Sequence, residues 1–152
     1  MNGRVAWLVA VLLLVPLVQG GCPVMHPNVA VNFTATLNGD QEVPPADTDA
    51  TGMGTLQLSA DESEVTFTIT ASGFAGVPQA AHFHNAAAGT NGDVVHTLTI
   101  TQEDDGSISI TGTWNPSHDL AHELLEGEIY INIHTDAFPN GEIRGQVERA
   151  DE

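Results

Sequence analysis

Val65-Thr66-Phe67-Thr68-Ile69-Thr70-Ala71 alternates strictly between apolar and polar residues, and this stretch decides the fold class. Successive side chains of a β-strand point to opposite faces, so the pattern predicts a strand with one face in the core. Upstream, Thr55-Leu56-Gln57-Leu58 alternates in the same way, and the intervening Asp61-Glu62-Ser63 is typical of a turn. Together these stretches predict a β-hairpin.

Similar strand signals recur along the chain at intervals of about ten residues, separated by polar turns. We expect strands over residues 29–38, 54–60, 64–72, 82–84, 94–101, 107–114, 128–134 and 142–148. Such spacing favours two packed antiparallel layers. We therefore predict an all-β domain over residues 31–149, a single antiparallel Greek-key β-sandwich.

Two segments depart from this strand pattern. Ser117 is placed to cap one short helix, in which Leu120 and Leu124 share a face. Residues 39–54 contain Pro44-Pro45, which a central strand does not accept, and predict a loop whose acids, including Glu42, are solvated.

Composition limits the function classes. The 152 residues, 41% of them hydrophobic, suit one domain with a real core. Lys and Arg total 3 against 20 Asp and Glu, giving a formal net charge of −17. Such a surface repels phosphate backbones and anionic headgroups, which excludes nucleic acid as an expected partner and leaves metal ions open. A single cysteine excludes an intramolecular disulfide.

The N-terminus predicts export. Arg4 precedes an apolar run over residues 5–18, which is too short to span a bilayer about 30 Å thick and suits a signal peptide over residues 1–21. Cys22 follows Gly20-Gly21, as at a bacterial lipoprotein cleavage site, so we expect lipidation of Cys22 and a tether over residues 22–30. The predicted location is the cell envelope, as a periplasmic or membrane-anchored lipoprotein. Ordinary cleavage with secretion is the alternative.

Three histidines are candidate metal ligands. His82 and His84 share one face of their predicted strand, and His134 shares a face with Tyr130 and Asn132 in theirs. Residues i and i+2 of a strand lie about 6.6 Å apart, close enough for two imidazoles to converge on one ion. Neutral imidazole suits copper and zinc, and three of them leave one position open. The alternative is that these rings hydrogen-bond to backbone or solvent and fix the fold.

The remaining basic and imidazole side chains predict structural or surface roles. In so acidic a chain we expect Arg144 to form a structural ion pair with a carboxylate such as Glu142 or Asp136. Three further histidines are expected at the surface: His96, His118 and His122.

The longest pattern in the chain resembles a known family. Gly73-Phe74, Ala80-Ala81-His82-Phe83-His84 and Gly127-x-x-Tyr130-Ile131-Asn132-Ile133-His134-Thr135, followed by Phe138-Pro139-Asn140-Gly141-Glu142-Ile143-Arg144-Gly145, resemble the chordin-type (CHRD) domain. The resemblance covers about residues 32–147. It implies a β-sandwich-like module of bacterial exported proteins and of the animal chordins, with no established catalytic residues. The cysteine-rich modules of chordin are absent here, so a growth-factor partner is not expected.

A weaker likeness points to copper-zinc superoxide dismutase. That enzyme also carries a His-x-His pair and a late metal-binding histidine, which would correspond to His82, His84 and His134. This chain departs from it, because Cys22 has no partner cysteine and no loop of zinc ligands is recognisable.

Two functions follow as expectations. The first is a non-enzymatic binding or structural module that meets an unknown extracytoplasmic protein. The second is a copper- or zinc-binding protein that uses the three histidines for metal handling or a redox reaction. The sequence has no nucleophile-elbow, phosphate-binding Gly-loop or metalloprotease signature, which favours a non-enzymatic function.

Overall fold

The computed structural model describes residues 29–150, so the predicted signal peptide, Cys22 and most of the predicted tether lie outside the described residues. Within this range the chain forms ten β-strands, a 3-10 helix (Gly39–Gln41) and one α-helix, α1 (His118–Leu125). The strands are β1 (Val31–Asn38), β2 (Thr51–Leu58), β3 (Val65–Ser72), β4 (Pro78–Asn85), β5 (Asp93–Leu98), β6 (Thr101–Gln102), β7 (Ile108–Trp114), β8 (Ile129–Thr135), β9 (Ile143–Gln146) and β10 (Glu148–Arg149). No helix in residues 29–150 is long and apolar enough to cross a bilayer.

All strand pairs are antiparallel and join into one continuous sheet. Its order is β5-β4-β8-β9-β1-β2-β3-β7-β6, and β10 pairs with β1. The strands β1, β2 and β3 form a meander, and β9 lies on the other side of β1. The predicted all-β class and the antiparallel pairing of its strands are confirmed.

Aromatic contacts reveal that this sheet curls on itself. Phe67 of β3 and Phe83 of β4 belong to opposite halves of the strand order, yet their ring centroids lie 5.1 Å apart, edge to face. Phe83 also lies 5.5 Å from Trp114 of β7, and His96 of β5 stacks on Trp114 at 5.8 Å. The two halves therefore face each other as the layers of a sandwich, with the apolar core between them.

The predicted hairpin is confirmed as β2 and β3, although β2 begins at Thr51 rather than at Gly54. Gly54 faces the core, and a Cβ added there would lie 2.9 Å from the Cδ1 atom of Ile131 on β8. Glycine thus lets β2 approach the opposite layer closely. The early part of β2 was missed because its inward positions hold glycine instead of the large apolar side chains that give the strand pattern.

The predicted helix is also confirmed. Ser117 caps α1 by accepting a hydrogen bond from the Leu120 N–H at 3.3 Å, and Leu124 is buried. The strand predicted over residues 94–101 is wrong in its second part, because β5 ends at Leu98. The following β6 pairs with β7 instead of continuing along β4, since the chain passes there from one layer to the other.

The outer face of β4, β8 and β9 is polar but covered. Two loops, residues 39–50 and 86–92, lie against it and are joined where Asn91 donates its Nδ2–H to the Val43 carbonyl at 2.8 Å. Beneath them is a buried polar layer, which we define by Glu42, His84, Tyr130, Asn132 and Arg144. The sheet is therefore buried on both faces in this region, with apolar side chains on one and polar side chains on the other.

Candidate metal centre

Strand register brings the three predicted histidines together. His82 and His84 lie on the polar face of β4, and in the β4–β8 ladder His82 lies opposite Asn132 while Ala80 lies opposite His134. His134 is therefore the diagonal neighbour of His82 on the same face, a placement within reach of long side chains.

The distances suit one small ion. His82 Nδ1 lies 3.3 Å from His134 Nε2, and one ring nitrogen from each of the three histidines lies within 4.8 Å of the others. A tetrahedral ion with bonds of about 2.05 Å separates its nitrogen ligands by about 3.4 Å. The His82–His134 pair already meets this spacing.

Backbone carbonyls fix two of the three rings. His84 Nδ1 lies 2.9 Å from the Gly92 carbonyl, and His134 Nδ1 lies 3.0 Å from the Pro139 carbonyl. A carbonyl can only accept, so both neutral rings carry their proton on Nδ1 and present a bare lone pair on Nε2. Metal-binding histidines characteristically donate their other ring N–H in this way, which sets tautomer and orientation.

The Nε2 atom of His84 has no hydrogen-bond partner among the described residues, although it is buried. Its residue is 9% exposed. A buried polar atom without a partner costs on the order of 1–3 kcal/mol, so such atoms call for an explanation. A cation ligated by this lone pair would supply one.

The surroundings of His82 and His84 lower the pKa values of both rings. Burial lowers the pKa of His82, and the charges of His134 and His84 lower it further. Burial also lowers the pKa of His84, against the raising effect of its bond to Gly92. Neutral imidazole is the form that binds a metal, so both shifts favour ligation at ordinary pH.

Tyr130 supports His84 from the neighbouring strand. The two rings stack with centroids 4.8 Å apart and planes 9° apart, and the Gly92 N–H donates to the Tyr130 hydroxyl at 3.2 Å. The Arg144 guanidinium carbon lies 3.5 Å from the Tyr130 ring centroid. Because β8 lies between β4 and β9, His84 and Arg144 approach Tyr130 from opposite sides. The histidine is thus held by a packed column of side chains.

Arg144 does not form the predicted ion pair. Among residues 29–150 no carboxylate oxygen lies within 4.0 Å of its guanidinium. It donates to the Asn91 side chain at 3.4 Å and to the Ala87 carbonyl at 3.2 Å, in addition to its contact with Tyr130. The carboxylate of Glu142, one of the two predicted partners, accepts hydrogen bonds from other groups instead.

Three donors hold the buried Glu142 carboxylate. They are the Thr48 hydroxyl at 2.7 Å, the Ala75 N–H at 2.7 Å and the Thr135 hydroxyl at 2.6 Å. Asp136, the other predicted partner of Arg144, instead accepts from the Val77 N–H at 2.7 Å. Both carboxylates therefore tie loops to the sheet.

Glu42 is the residue of this region that the sequence placed wrongly. It was expected in solvent but is 5% exposed and accepts from Asn132 Nδ2 at 3.2 Å. Burial raises the pKa of Glu42 to about 7, against the lowering effects of the Arg144 charge and the Asn132 hydrogen bond. No local pattern distinguishes Glu42 from the solvated acids of its loop, because the loop path over the sheet decides its burial.

The other histidines lie apart from this cluster. His96 is half-buried against Phe83 and Trp114, so its predicted surface position is wrong, and burial lowers its pKa. His118 and His122 are exposed on α1, as predicted.

Comparison with known proteins places the chain in a family. The family model described as the CHRD domain matches residues 33–147. No curated protein and no solved structure matches the chain significantly, and the second likeness, to superoxide dismutase, has no support in these comparisons. The matched segment runs from β1 to the residue after β9 and includes the three histidines together with the two loops that cover the polar layer. The chain therefore belongs to the CHRD domain family.

Proposed function

We propose that this protein is a metal-binding module that holds one copper or zinc ion through His82, His84 and His134. The observation that carries the proposal is the tautomer arrangement. Gly92 and Pro139 accept the Nδ1–H groups of two rings, so that both Nε2 lone pairs are available beside His82. Membership of the CHRD family is compatible with a binding or a structural role.

The donor set restricts the ligand. Three neutral imidazoles suit copper and zinc better than magnesium or calcium, which prefer oxygen ligands. Three protein ligands also leave one coordination position for water or a small molecule. His82 and His134 are only half-buried, which puts that position on the solvent side of the cluster, whereas His84 lies on the buried side.

A structural role for the same rings is the second candidate. At 3.3 Å, His82 Nδ1 can donate directly to His134 Nε2 and close a network that ends on the Pro139 carbonyl. The module would then be a non-enzymatic scaffold for another extracytoplasmic protein. This hydrogen-bond network leaves the buried Nε2 atom of His84 without a partner, and for that reason we favour the metal site.

The test is a metal analysis followed by titration. Protein purified from its native compartment is analysed for copper and zinc, and the apo form is titrated with each in competition with a chelator. We expect one tight site in the wild type and its loss in His84→Ala and His134→Ala, with His96→Gln as the control, because the His96 ring is half-buried beside Phe83 and apart from the three histidines. Tight metal binding that survives in both alanine variants would rule out this site. If the wild type binds no metal tightly, the structural role of the three rings is the one supported.

We propose further that the protein is exported and anchored at the cell envelope by acylation of Cys22. Support comes from the sequence alone, in the apolar run over residues 5–18 and the Gly-Gly-Cys that follows it. Metabolic labelling with a radioactive fatty acid should label the wild type and leave Cys22→Ser unlabelled. Equal label in the two would contradict the anchor.

A further inference from the structure

The exposed face of α1 carries a second pair of histidines. His118 and His122 are four residues apart on the helix, with side chains 84% and 64% exposed. The opposite face of α1 is anchored in the core by Ala121 and Leu124. Since helical residues i and i+4 are neighbours with Cβ atoms about 5–6 Å apart, both imidazoles project from the same side of a fixed helix.

Each ring has a carboxylate beside one nitrogen. His118 Nδ1 lies 4.0 Å from the Asp119 carboxylate, and His122 Nε2 lies 4.0 Å from the Glu126 carboxylate. Neither histidine has a hydrogen bond to another described side chain or backbone group that would occupy its second nitrogen. Each ring therefore has a nitrogen free for a ligand and a negative charge nearby.

The charge around this face also favours a cation. Asp119, Glu123 and Glu126 belong to α1 or its C-cap, against one guanidinium, Arg149, which donates to the Leu125 carbonyl at the helix end. The formal net charge of −17 raises the cation concentration near the whole surface. His122 lies in the last turn of α1, where the helix dipole also favours positive charge.

We propose that His118 and His122 form a second metal site, which binds a divalent late first-row cation such as Cu²⁺, Ni²⁺ or Zn²⁺ in exchange with solvent. Two imidazoles at i and i+4 of a helix form a familiar chelating pair for such ions. With two protein ligands and open surroundings, water completes the coordination, so the ion is held more weakly and exchanges faster than at a three-histidine centre. This site does not depend on the one at His82, His84 and His134.

A spacing swap tests the chelate directly. His122→Glu combined with Glu123→His keeps the composition and charge of the full chain but moves the second imidazole to i+5. With 3.6 residues per turn, that position lies about 140° around the helix axis from His118. Ni²⁺ and Zn²⁺ titration of the wild type should show a site that the swap weakens by roughly a hundredfold, the gain expected when a second ligand binds intramolecularly. Binding that is unchanged in the swap would overturn the proposal.

Two further measurements separate this site from the other one. In His84→Ala/His134→Ala protein the α1 site should persist, and the imidazole resonances of His118 and His122 should shift together as Zn²⁺ is added. Resonance shifts of one ring without the other would also contradict a shared ion. Far-ultraviolet circular dichroism checks that each variant keeps its fold, which we expect because both side chains are exposed.

Discussion

The Nδ1 atom of His134 lies 3.0 Å from the carbonyl oxygen of Pro139, in the turn that joins β8 to β9. A residue in the turn thus holds the ring of a residue in the strand, and the Gly92 carbonyl holds His84 in the same manner from the β4–β5 loop. The candidate centre depends as much on these two carbonyls as on the imidazoles themselves. Variants that move a carbonyl without touching a ligand are therefore informative.

Gly92→Ala should weaken copper binding by about 10- to 100-fold, the usual cost of losing an orienting partner. A Cβ at Gly92 would overlap the Asn85 carbonyl oxygen, so the backbone must shift and carry the His84 acceptor with it. Competition titration measures the effect. Gly89→Asn is the matched control, because Gly89 lies in the same loop with open space around it and φ of +77°, which asparagine tolerates. Equal affinities for Gly92→Ala and the control would contradict the orienting role.

Glu42→Gln should remove a pH dependence of stability. The folded pKa of Glu42, about 7, lies above the ordinary 4.5, so the folded state binds the proton more tightly. The contribution of Glu42 is therefore full below pH 4.5, shrinks as the pH rises and is lost above about pH 7, a difference on the order of 3 kcal/mol.

Urea denaturation from pH 5 to 8 checks this expectation. The difference in unfolding free energy between the wild type and Glu42→Gln isolates the effect of Glu42 from that of His82 and His84. The lowered pKa values of these histidines make stability rise with pH, which is the opposite direction. Glutamine also offers an N–H toward Asn132 Oδ1, which like Glu42 Oε1 is buried without a partner. The variant should accordingly be the more stable protein at pH 8. A difference that stays constant across the pH range would show that Glu42 is ionised throughout.

Arg144→Lys should destabilise the fold by about 1–3 kcal/mol, because an ammonium cannot stack on Tyr130 while also donating at two points to the covering loop of residues 86–92. The Arg144 contacts with Asn91 and Ala87 are the ones at stake. Chemical denaturation gives the stability and metal titration the affinity, which should change little. A loss of affinity with unchanged stability would instead assign Arg144 to the metal centre.

Gly54→Ala should cost about 1–3 kcal/mol as an overpacked core position. The new Cβ would lie 2.9 Å from Ile131 Cδ1. Ile131→Val removes that methyl group, so in its background the alanine should become neutral or stabilising. A double-mutant cycle by thermal denaturation measures the coupling. Additive effects of the two substitutions would show that the layers can separate at this point.

Much of this fold can be predicted from the sequence, because apolar residues alternate with polar ones wherever one face of a strand is buried. Where one face of a strand carries large apolar side chains, as in β3 and β8, the alternation gives both the strand and the inward face. The alternation fails over residues 51–53 at the start of β2, where Gly52 stands in place of a large apolar side chain and a Cβ would lie 2.9 Å from the Cβ of Ala71. It fails again after Leu98, because the change of partner from β4 to β7 leaves no local mark.

The histidines of the candidate site could be predicted from the sequence, but the groups that hold those histidines in place could not. His82, His84 and His134 stand out because imidazoles recur at the spacing of a strand face. Gly92 and Pro139 act through backbone carbonyls, which every residue has, so no residue type signals them. The burial and the partners of Glu42 and Arg144 depend on two loops that fold over the sheet. Such long-range contacts leave no pattern along the chain.

The register of β4 against β8 carries one more consequence, for folding. His82 and His134 are 52 residues apart in sequence, so their contact forms only when this long-range ladder closes. A slip of one residue would turn the imidazoles of β4 into the core and Phe83 outward, and would therefore be strongly disfavoured. Only the correct register of β4 against β8 brings the three imidazoles together. A metal ion bound there would therefore stabilise this register relative to every shifted one.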